Sequence, residues 1–249
     1  MAQSTRTIGV FLGITVFIGA MIEGAAAAPR RPARRQRCCP ASAKHIDDGS
    51  GTLFDGKSLA GWRVADKFDF SQHGKVAVRE GRIEMQAGGP ETGIVRTDKP
   101  PRLNYELSLE AMRISGNDFF CGLTFPVKNE HCTLIVGGWG GTLVGLSNVD
   151  GIAANENETT TFADFKNKQW YRIRLRVTAS NIDIWIDDRR MIQLETTDRK
   201  FNIWWEQEPM RPLGIATWYT GAALRNIKLR RLTVEELKTG PTAGGEAAN

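Results

Sequence analysis

Trp170-Tyr171-Arg172-Ile173-Arg174-Leu175-Arg176-Val177-Thr178-Ala179-Ser180-Asn181-Ile182-Asp183-Ile184-Trp185-Ile186-Asp187-Asp188 is the stretch on which the fold turns. Tyr171, Ile173, Leu175 and Val177 alternate with Arg172, Arg174 and Arg176, a period of two that a half-buried strand satisfies and a helix does not. After a short Ala179-Ser180 turn, Ile182, Ile184 and Ile186 alternate with Asp183, Trp185 and Asp187. A two-residue turn sets Val177 opposite Ile182, Leu175 opposite Ile184 and Ile173 opposite Ile186 on a dry face. The other face then pairs Arg176 with Asp183, Arg174 with Trp185 and Arg172 with Asp187. Such pairs contribute roughly 0.2–1 kcal/mol each and penalise a one-residue slip. The reading is an antiparallel hairpin with a buried side and a polar side whose charges are consumed structurally.

Outward from this hairpin, almost every segment reads as strand or turn. Residues 75–79 and 81–86 pair around Glu80-Gly81. Strands are expected over 93–97, 105–114, 119–125, 132–136, 142–146, 191–195, 213–219 and 224–232. Tyr105, Leu107, Leu109 and Ala111 point one way, with Glu106, Ser108 and Glu110 pointing the other. No segment longer than two turns shows the helical period, apart from 234–238 at the edge. Many short strands with glycine-rich turns specify an all-β sandwich or jelly roll.

The ends differ in character from this domain. Arg6 precedes a 15-residue apolar run over 8–22, followed by Glu23-Gly24 and four alanines. That layout is a secretory signal peptide over 1–28, and export is the expectation. Pro29 and the arginines at 30, 31, 34, 35 and 37 disturb the pattern, so an uncleaved membrane anchor or a misassigned start is the competing reading. Residues 29–50 read as a basic disordered linker, 51–233 as the folded domain and 234–249 as a disordered tail. The net charge of +5 resides in the leader, because residues 38–249 carry 27 basic and 27 acidic side chains. A neutral domain gives no nucleic-acid footprint. Of four cysteines, Cys38 and Cys39 lie in the leader, while Cys121 and Cys132 flank a turn and are candidates for a disulfide if register brings them together.

Five motifs in order carry a family resemblance. Residues 52–62 (T-L-F-D-G-K-S-L-A-G-W), 78–84 (V-R-E-G-R-I-E), 105–113, 169–188 and 213–232 resemble the 3-keto-disaccharide hydrolase family. The resemblance covers about residues 52–232. It implies a concanavalin A/LamG-like β-jelly-roll sandwich, a carbohydrate ligand and cleavage of a sugar already oxidised at C3. The chain departs from the family pattern where chemistry would be read. Gly116-Asn117-Asp118-Phe119-Phe120-Cys121-Gly122 lacks the arginine of an N-S-G-x-x-x-R run, and Ile215-Ala216-Thr217-Trp218-Tyr219 replaces a Q-x-H group. None of the three histidines, at 45, 73 and 131, sits at a matching position.

Cleavage of a 3-keto-glycoside needs a base for the acidified C2 proton, a stabiliser for the enolate and a donor for the leaving group. Glu110, Asp118 and His131 are the catalytic candidates. Each also has an ordinary reading, as a solvated strand carboxylate, a turn-closing Asp and a loop histidine. Gly137-Gly138-Trp139-Gly140-Gly141 presents one indole between four glycines, suited either to a tight turn or to stacking on a sugar. Trp139, Asn148, Trp205 and Glu206 are the candidate substrate contacts. The oxygen-rich run 147–161 makes Asp150, Asn155 and Glu156 candidate ligands for calcium or another divalent metal, against the reading of a plain polar loop. Three functions stay open: an exported enzyme on oxidised glycosides, a non-catalytic carbohydrate-binding jelly roll, and a cell-surface adhesion module.

Overall fold

The computed structural model describes residues 51–239; the leader, with the expected signal peptide, linker, Cys38 and Cys39, lies outside them, as do residues 240–249. Fifteen strands form: β1 Gly51–Thr52, β2 Trp62–Val64, β3 Val76–Arg79, β4 Arg82–Met85, β5 Glu91–Arg96, β6 Tyr105–Ser115, β7 Cys121–Val127 and β8 Glu130–Gly138. They continue with β9 Leu143–Ser147, β10 Thr161–Phe162, β11 Trp170–Val177, β12 Asn181–Ile186, β13 Arg189–Glu195, β14 Gly214–Trp218 and β15 Gly221–Arg231. One sheet runs β13-β12-β11-β6-β15-β4-β3 with β1 on β15, and the other runs β10-β9-β8-β7-β14-β5-β2. Every pairing is antiparallel. This is the jelly-roll sandwich that the alternation and turns predict.

The hairpin register is as read from the sequence. Val177 pairs with Ile182, Leu175 with Ile184, Ile173 with Ile186, Arg176 with Asp183 and Arg174 with Trp185. Thr178 N–H donates to Asn181 O at 2.9 Å, closing the Ala179-Ser180 turn. The dry face joins Tyr105, Leu107, Leu109 and Ala111 of β6 and, from the opposite sheet, Leu123, Phe125, Leu134 and Val136 in one core.

The polar face differs from expectation, because it is covered. Trp185 is 1% exposed, Asp183 0% and Arg176 6%. The Arg174 guanidinium lies 3.8 Å over the Trp185 ring, as expected. Arg176, however, donates to Glu106 at 3.0 Å rather than to its cross-strand neighbour Asp183. Glu106 also accepts from Arg174 (3.4 Å) and Arg230 (2.9 Å), so one carboxylate gathers three arginines from its two neighbouring strands, β11 and β15. A guanidinium reaches further than one register position, and the best-placed acceptor is on the adjacent strand β6. Burial raises the Asp183 carboxyl above its ordinary range, opposed by Arg190, Arg176 and Arg174.

Two further expectations are corrected here. The helical period read over 234–238 forms helix α1 Val234–Thr239, so the segment expected as tail from 234 starts as helix. Thr233 Oγ1 accepts from Glu236 N–H (3.2 Å) while Glu236 Oε2 accepts from Thr233 N–H (2.8 Å), a reciprocal capping box. Glu236 also ion-pairs with Arg230 at 2.7 Å, tying the helix to the Glu106 cluster. Cys121 and Cys132 are free and buried. On the β7–β8 hairpin Cys121 faces Val136 and Cys132 faces Phe125, so they stand about four pairs, roughly 13 Å, apart, beyond disulfide reach.

Candidate active site

The seven-stranded sheet is buried on both sides. Its inner face joins the main core, while Phe70, Val95, Phe119, Ile135, Met210 and Ala216 form a second, smaller cluster on its outer face. Glycine makes that second layer feasible. A Cβ on Gly93 would meet Phe70 at 2.7 Å and Met210 Sδ at 2.9 Å, and one on Gly122 would meet Phe119 at 2.9 Å. Two short 3-10 helices, Phe68–Phe70 and Trp205–Met210, therefore settle directly on the sheet. Where this cover stops, a cavity of about 380 Å³ opens above β8. That lies at the small end of the roughly 300–1,000 Å³ typical of ligand sites.

Its floor is polar and its walls are aromatic. Trp139, Trp204, Trp218 and Phe119 stand around Glu91, Glu206, Gln207, Thr133, Ser147 and Asp118, with Ile135 between them. Glu91 opens β5 opposite Trp218 in register and is 1% exposed. Gln207 Nε2 donates to Glu91 Oε1 at 2.6 Å. Burial, opposed by that hydrogen bond and reinforced by Asp69 and Glu206, pushes the Glu91 carboxyl up to about 8. At neutral pH this group carries its proton. Glu91 Oε2, Glu206 Oε2 and Gln207 Oε1 are buried oxygens without a hydrogen-bond partner. With Glu91 protonated and its Oε1 taken by Gln207, its Oε2 lacks an acceptor, while the Glu206 and Gln207 oxygens lack donors.

Backbone geometry aims the walls. Trp139 sits at φ +47°, in the left-handed region, after the β8–β9 irregularity at Val136/Gly138. Arg113 braces this loop by donating to Gly141 O at 3.3 Å and to Phe165 O at 2.5 Å. Trp139 is 49% exposed, so its indole is not tucked into the core. Trp204 Nε1 donates to Ser147 Oγ at 3.1 Å.

The sequence candidates divide. Asp118, Trp139 and Glu206 meet at the cavity; Asp118 Oδ1 accepts from Phe119 N–H at 2.7 Å. Glu110 does not. It lies on the outer face of the eight-stranded sheet, where Arg225 donates to it at 2.7 and 2.8 Å and Asn226 at 2.6 Å. Burial raises its carboxyl, but those bonds outweigh burial and hold it below the ordinary range. His131 shares the face of β8 that carries Thr133 and Ile135, yet is not part of the lining. Burial first, then Arg211 and Arg102, lowers it to about 4, so it is a neutral imidazole at pH 7.

Asn148 is buried beside the site, its Oδ1 accepting from Ser147 Oγ at 2.9 Å. Trp205 points away and packs on Phe68; its neighbour Trp204 takes the wall position. The metal candidates are engaged elsewhere. Asp150 accepts from Arg199 (2.6 Å) and Lys200 N–H (2.8 Å), while Asn155 donates to Glu156 at 3.4 Å. Among the described residues no three His, Cys, Asp or Glu side chains gather as a metal site. The loop is instead organised by Asn157, whose Nδ2 donates to the carbonyls of Leu146, Ile152 and Ala153.

Sequence reasoning missed Glu91, Gln207 and Trp218, and of the adjacent Trp204 and Trp205 it named Trp205 where Trp204 lines the cavity. One signal was available: Glu91 opens the otherwise uncharged run Glu91-Thr92-Gly93-Ile94-Val95, and a carboxylate leading a doubly buried strand needs a reason.

The family described as the 3-keto-alpha-glucoside-1,2-lyase-like domain matches residues 49–230. No curated protein matches the chain by sequence. Among solved structures, a putative glycosyl hydrolase from Parabacteroides distasonis is 12% identical with a TM-score of 0.47, over 75% of this chain and 95% of that one. The carbohydrate-binding module CBM66 from Bacillus subtilis is 14% identical with a TM-score of 0.47, over 68% and 95%. The Crh5 transglycosylase in complex with NAG is 12% identical with a TM-score of 0.49, over 74% and 84%.

Proposed function

The chain belongs to the 3-keto-alpha-glucoside-1,2-lyase-like family, and from that premise we propose that its aromatic-walled cavity cleaves glycosides oxidised at C3. A C3 ketone acidifies the C2 proton. Glu206, with a partnerless oxygen in the lining, takes that proton. The C2–H electron pair passes into the enolate, whose negative oxygen needs a hydrogen-bond donor. The C1–O bond then breaks to leave a C1=C2 double bond, and the departing oxygen takes the proton that Glu91 holds at neutral pH. Water adding across the double bond converts elimination into net hydrolysis. Proton return from Glu206 to Glu91 through solvent resets the pair. The indoles of Trp139, Trp204 and Trp218 offer apolar faces to the ring, and Gln207 Oε1 accepts a hydroxyl.

The observation that carries this reading is a protonated, buried Glu91 beside Glu206 in one cavity, both with an oxygen lacking a partner. A carboxyl that holds its proton at neutral pH, set beside a second carboxyl in the same cavity, is an arrangement suited to acid–base chemistry. The test is incubation of purified protein with a 3-keto-glucoside, with and without added divalent cations, following aglycone release and loss of deuterium from C2. Turnover that survives both Glu91→Gln and Glu206→Gln sinks the assignment. Ligand binding by wild type without turnover under any condition makes the domain a carbohydrate-binding module instead. Export belongs to the same proposal, supported by the leader pattern over 1–28. A mature N-terminus still at Met1 in cell-associated protein would replace cleavage by anchoring.

A further inference from the structure

Six aromatic side chains among the described residues are markedly exposed: Phe68, Trp139, Phe162, Trp204, Trp205 and Tyr219. Phe162 sits on the edge strand β10, and Trp139 and Trp204 line the cavity. The remaining three lie outside the lining, Tyr219 in ring contact with it and Trp205 and Phe68 as a pair on the two short 3-10 helices beside it. Tyr219, 58% exposed, stands edge-on to the wall residue Trp218 with centroids 5.6 Å apart. Trp205, 59% exposed, follows the wall residue Trp204 and meets Phe68 edge-on at 5.9 Å.

Their backbones are as unusual as their exposure. Eleven non-glycine residues have positive φ, and eight of them are polar or charged turn formers. The other three are Phe68 (+55°), Trp139 (+47°) and Tyr219 (+44°), all exposed and all at or beside the cavity. A bulky side chain disfavours the left-handed region, and an exposed ring recovers little by packing. Tyr219 is held there by its N–H donating to Pro90 O at 2.8 Å. Strained backbone spent on solvated rings fits a surface completed by a ligand.

We infer that the ligand is a glycan chain of at least three sugar rings, with the reacting ring in the cavity and further rings on Tyr219 and on the Trp205–Phe68 pair. A pyranose offers an apolar C–H face bounded by hydroxyls. Polar residues accompany both outer platforms: Asp118, which lines the cavity, is tied by its N–H to Thr220 next to Tyr219, and the half-buried Asp69 and exposed Glu208 lie close in sequence to Phe68 and Trp205. A cavity of about 380 Å³ suits one or two rings, leaving these platforms to the rest of the chain. This inference rests on the cavity being the sugar site but not on its chemistry.

Calorimetric titration of the full chain with unoxidised malto- and cello-oligosaccharides of two to five rings separates the two. Affinity is expected to rise about tenfold from two to four rings in one series. Tyr219→Ala and Trp205→Ala should each remove part of that rise while leaving two-ring affinity unchanged. Tyr219→Asn, whose side chain tolerates the left-handed backbone, should keep the melting temperature and lose the same part of the rise. Glu91→Gln should keep the length dependence, so failure of catalysis does not count against the platforms. Equal affinity at every length, no binding in either series, or a gain confined to aryl glucosides overturns the inference.

Discussion

Glu106 and Glu110 on the eight-stranded sheet, and Glu91 and Glu206 at the cavity over the seven-stranded sheet, are carboxylates treated in opposite ways. Asp183 of the eight-stranded sheet is a buried acid whose oxygens are unpartnered but which lies outside the lining of that cavity. On the eight-stranded sheet, Glu106 accepts from Arg174, Arg176 and Arg230, and Glu110 from Arg225 and Asn226. Every one of those acids has its donors in place, and the arginines in turn cover Trp185 and Trp170. On the seven-stranded sheet, Glu91 has one amide donor and a bare oxygen, and Glu206 a bare oxygen with no donor at all. The difference teaches where function resides. A satisfied carboxylate stabilises the fold and resists perturbation, whereas Glu91 and Glu206 are held short of partners at the lining of a cavity. Asp183, equally short of partners but offset by the charges of Arg190, Arg176 and Arg174, shows that the cavity is the distinguishing feature.

Exchanging the two kinds of acid should break the comparison most sharply at the level of turnover. Glu91→Gln and Glu206→Gln are each expected to lower kcat on a 3-keto-glucoside by about 10²–10⁴-fold, while Glu110→Gln changes it less than about threefold. Steady-state kinetics on the three variants checks this, and a Glu110 effect equal to that of Glu91 would erase the distinction between the faces.

Stability against pH sharpens it next. The folded-state value for Glu91 is raised to about 8 from the ordinary carboxyl value of 4.5. Its contribution is therefore fully present below the unfolded value and is lost as pH climbs to 8, roughly 3–5 kcal/mol in all. Urea melts of wild type against Glu91→Gln should converge at acid pH and separate above it, the variant lacking this slope. The pH–rate profile should fall through about 8 as the acid loses its proton.

Removing Glu106 tests the other face. Glu106→Ala strands Arg176 in a buried site and should destabilise by about 2–3 kcal/mol, below the full range for breaking a buried pair because Arg174 and Arg230 keep solvent contact. Turnover of the folded fraction should not change. The smallest effect is on the wall: Trp139→Ala should weaken binding of a short sugar by about 1 kcal/mol, read by calorimetry, without altering the melt.

Much of the sandwich was legible because its signal is local. Alternation of Ile173, Leu175 and Val177 with arginines, the Glu80-Gly81 turn between β3 and β4, and the ordered family motifs all lie within short windows. Errors arose where a side chain chooses among neighbours that the hairpin alone does not supply. Arg176 has Asp183 across one strand pair and Glu106 across the other, and took Glu106. Cys121 and Cys132 are close in sequence but stand four pairs apart along a seven-pair hairpin.

For the site, chain order is a poor guide. Glu91, Asp118, Thr133, Ser147, Glu206 and Trp218 come from six separate segments and meet only because the seven-stranded order places β9, β8, β7, β14 and β5 side by side. Residue type alone was enough to single out Asp118, Trp139 and Glu206, but also to single out Glu110, which points away. The sequence by itself determined the strands, their hairpin registers and the class of fold, since those follow from period-two patterning and turn chemistry. Only the tertiary structure decided which carboxylates are left without donors. That is a property of what packs above a strand, and nothing in the strand's own alternation encodes it.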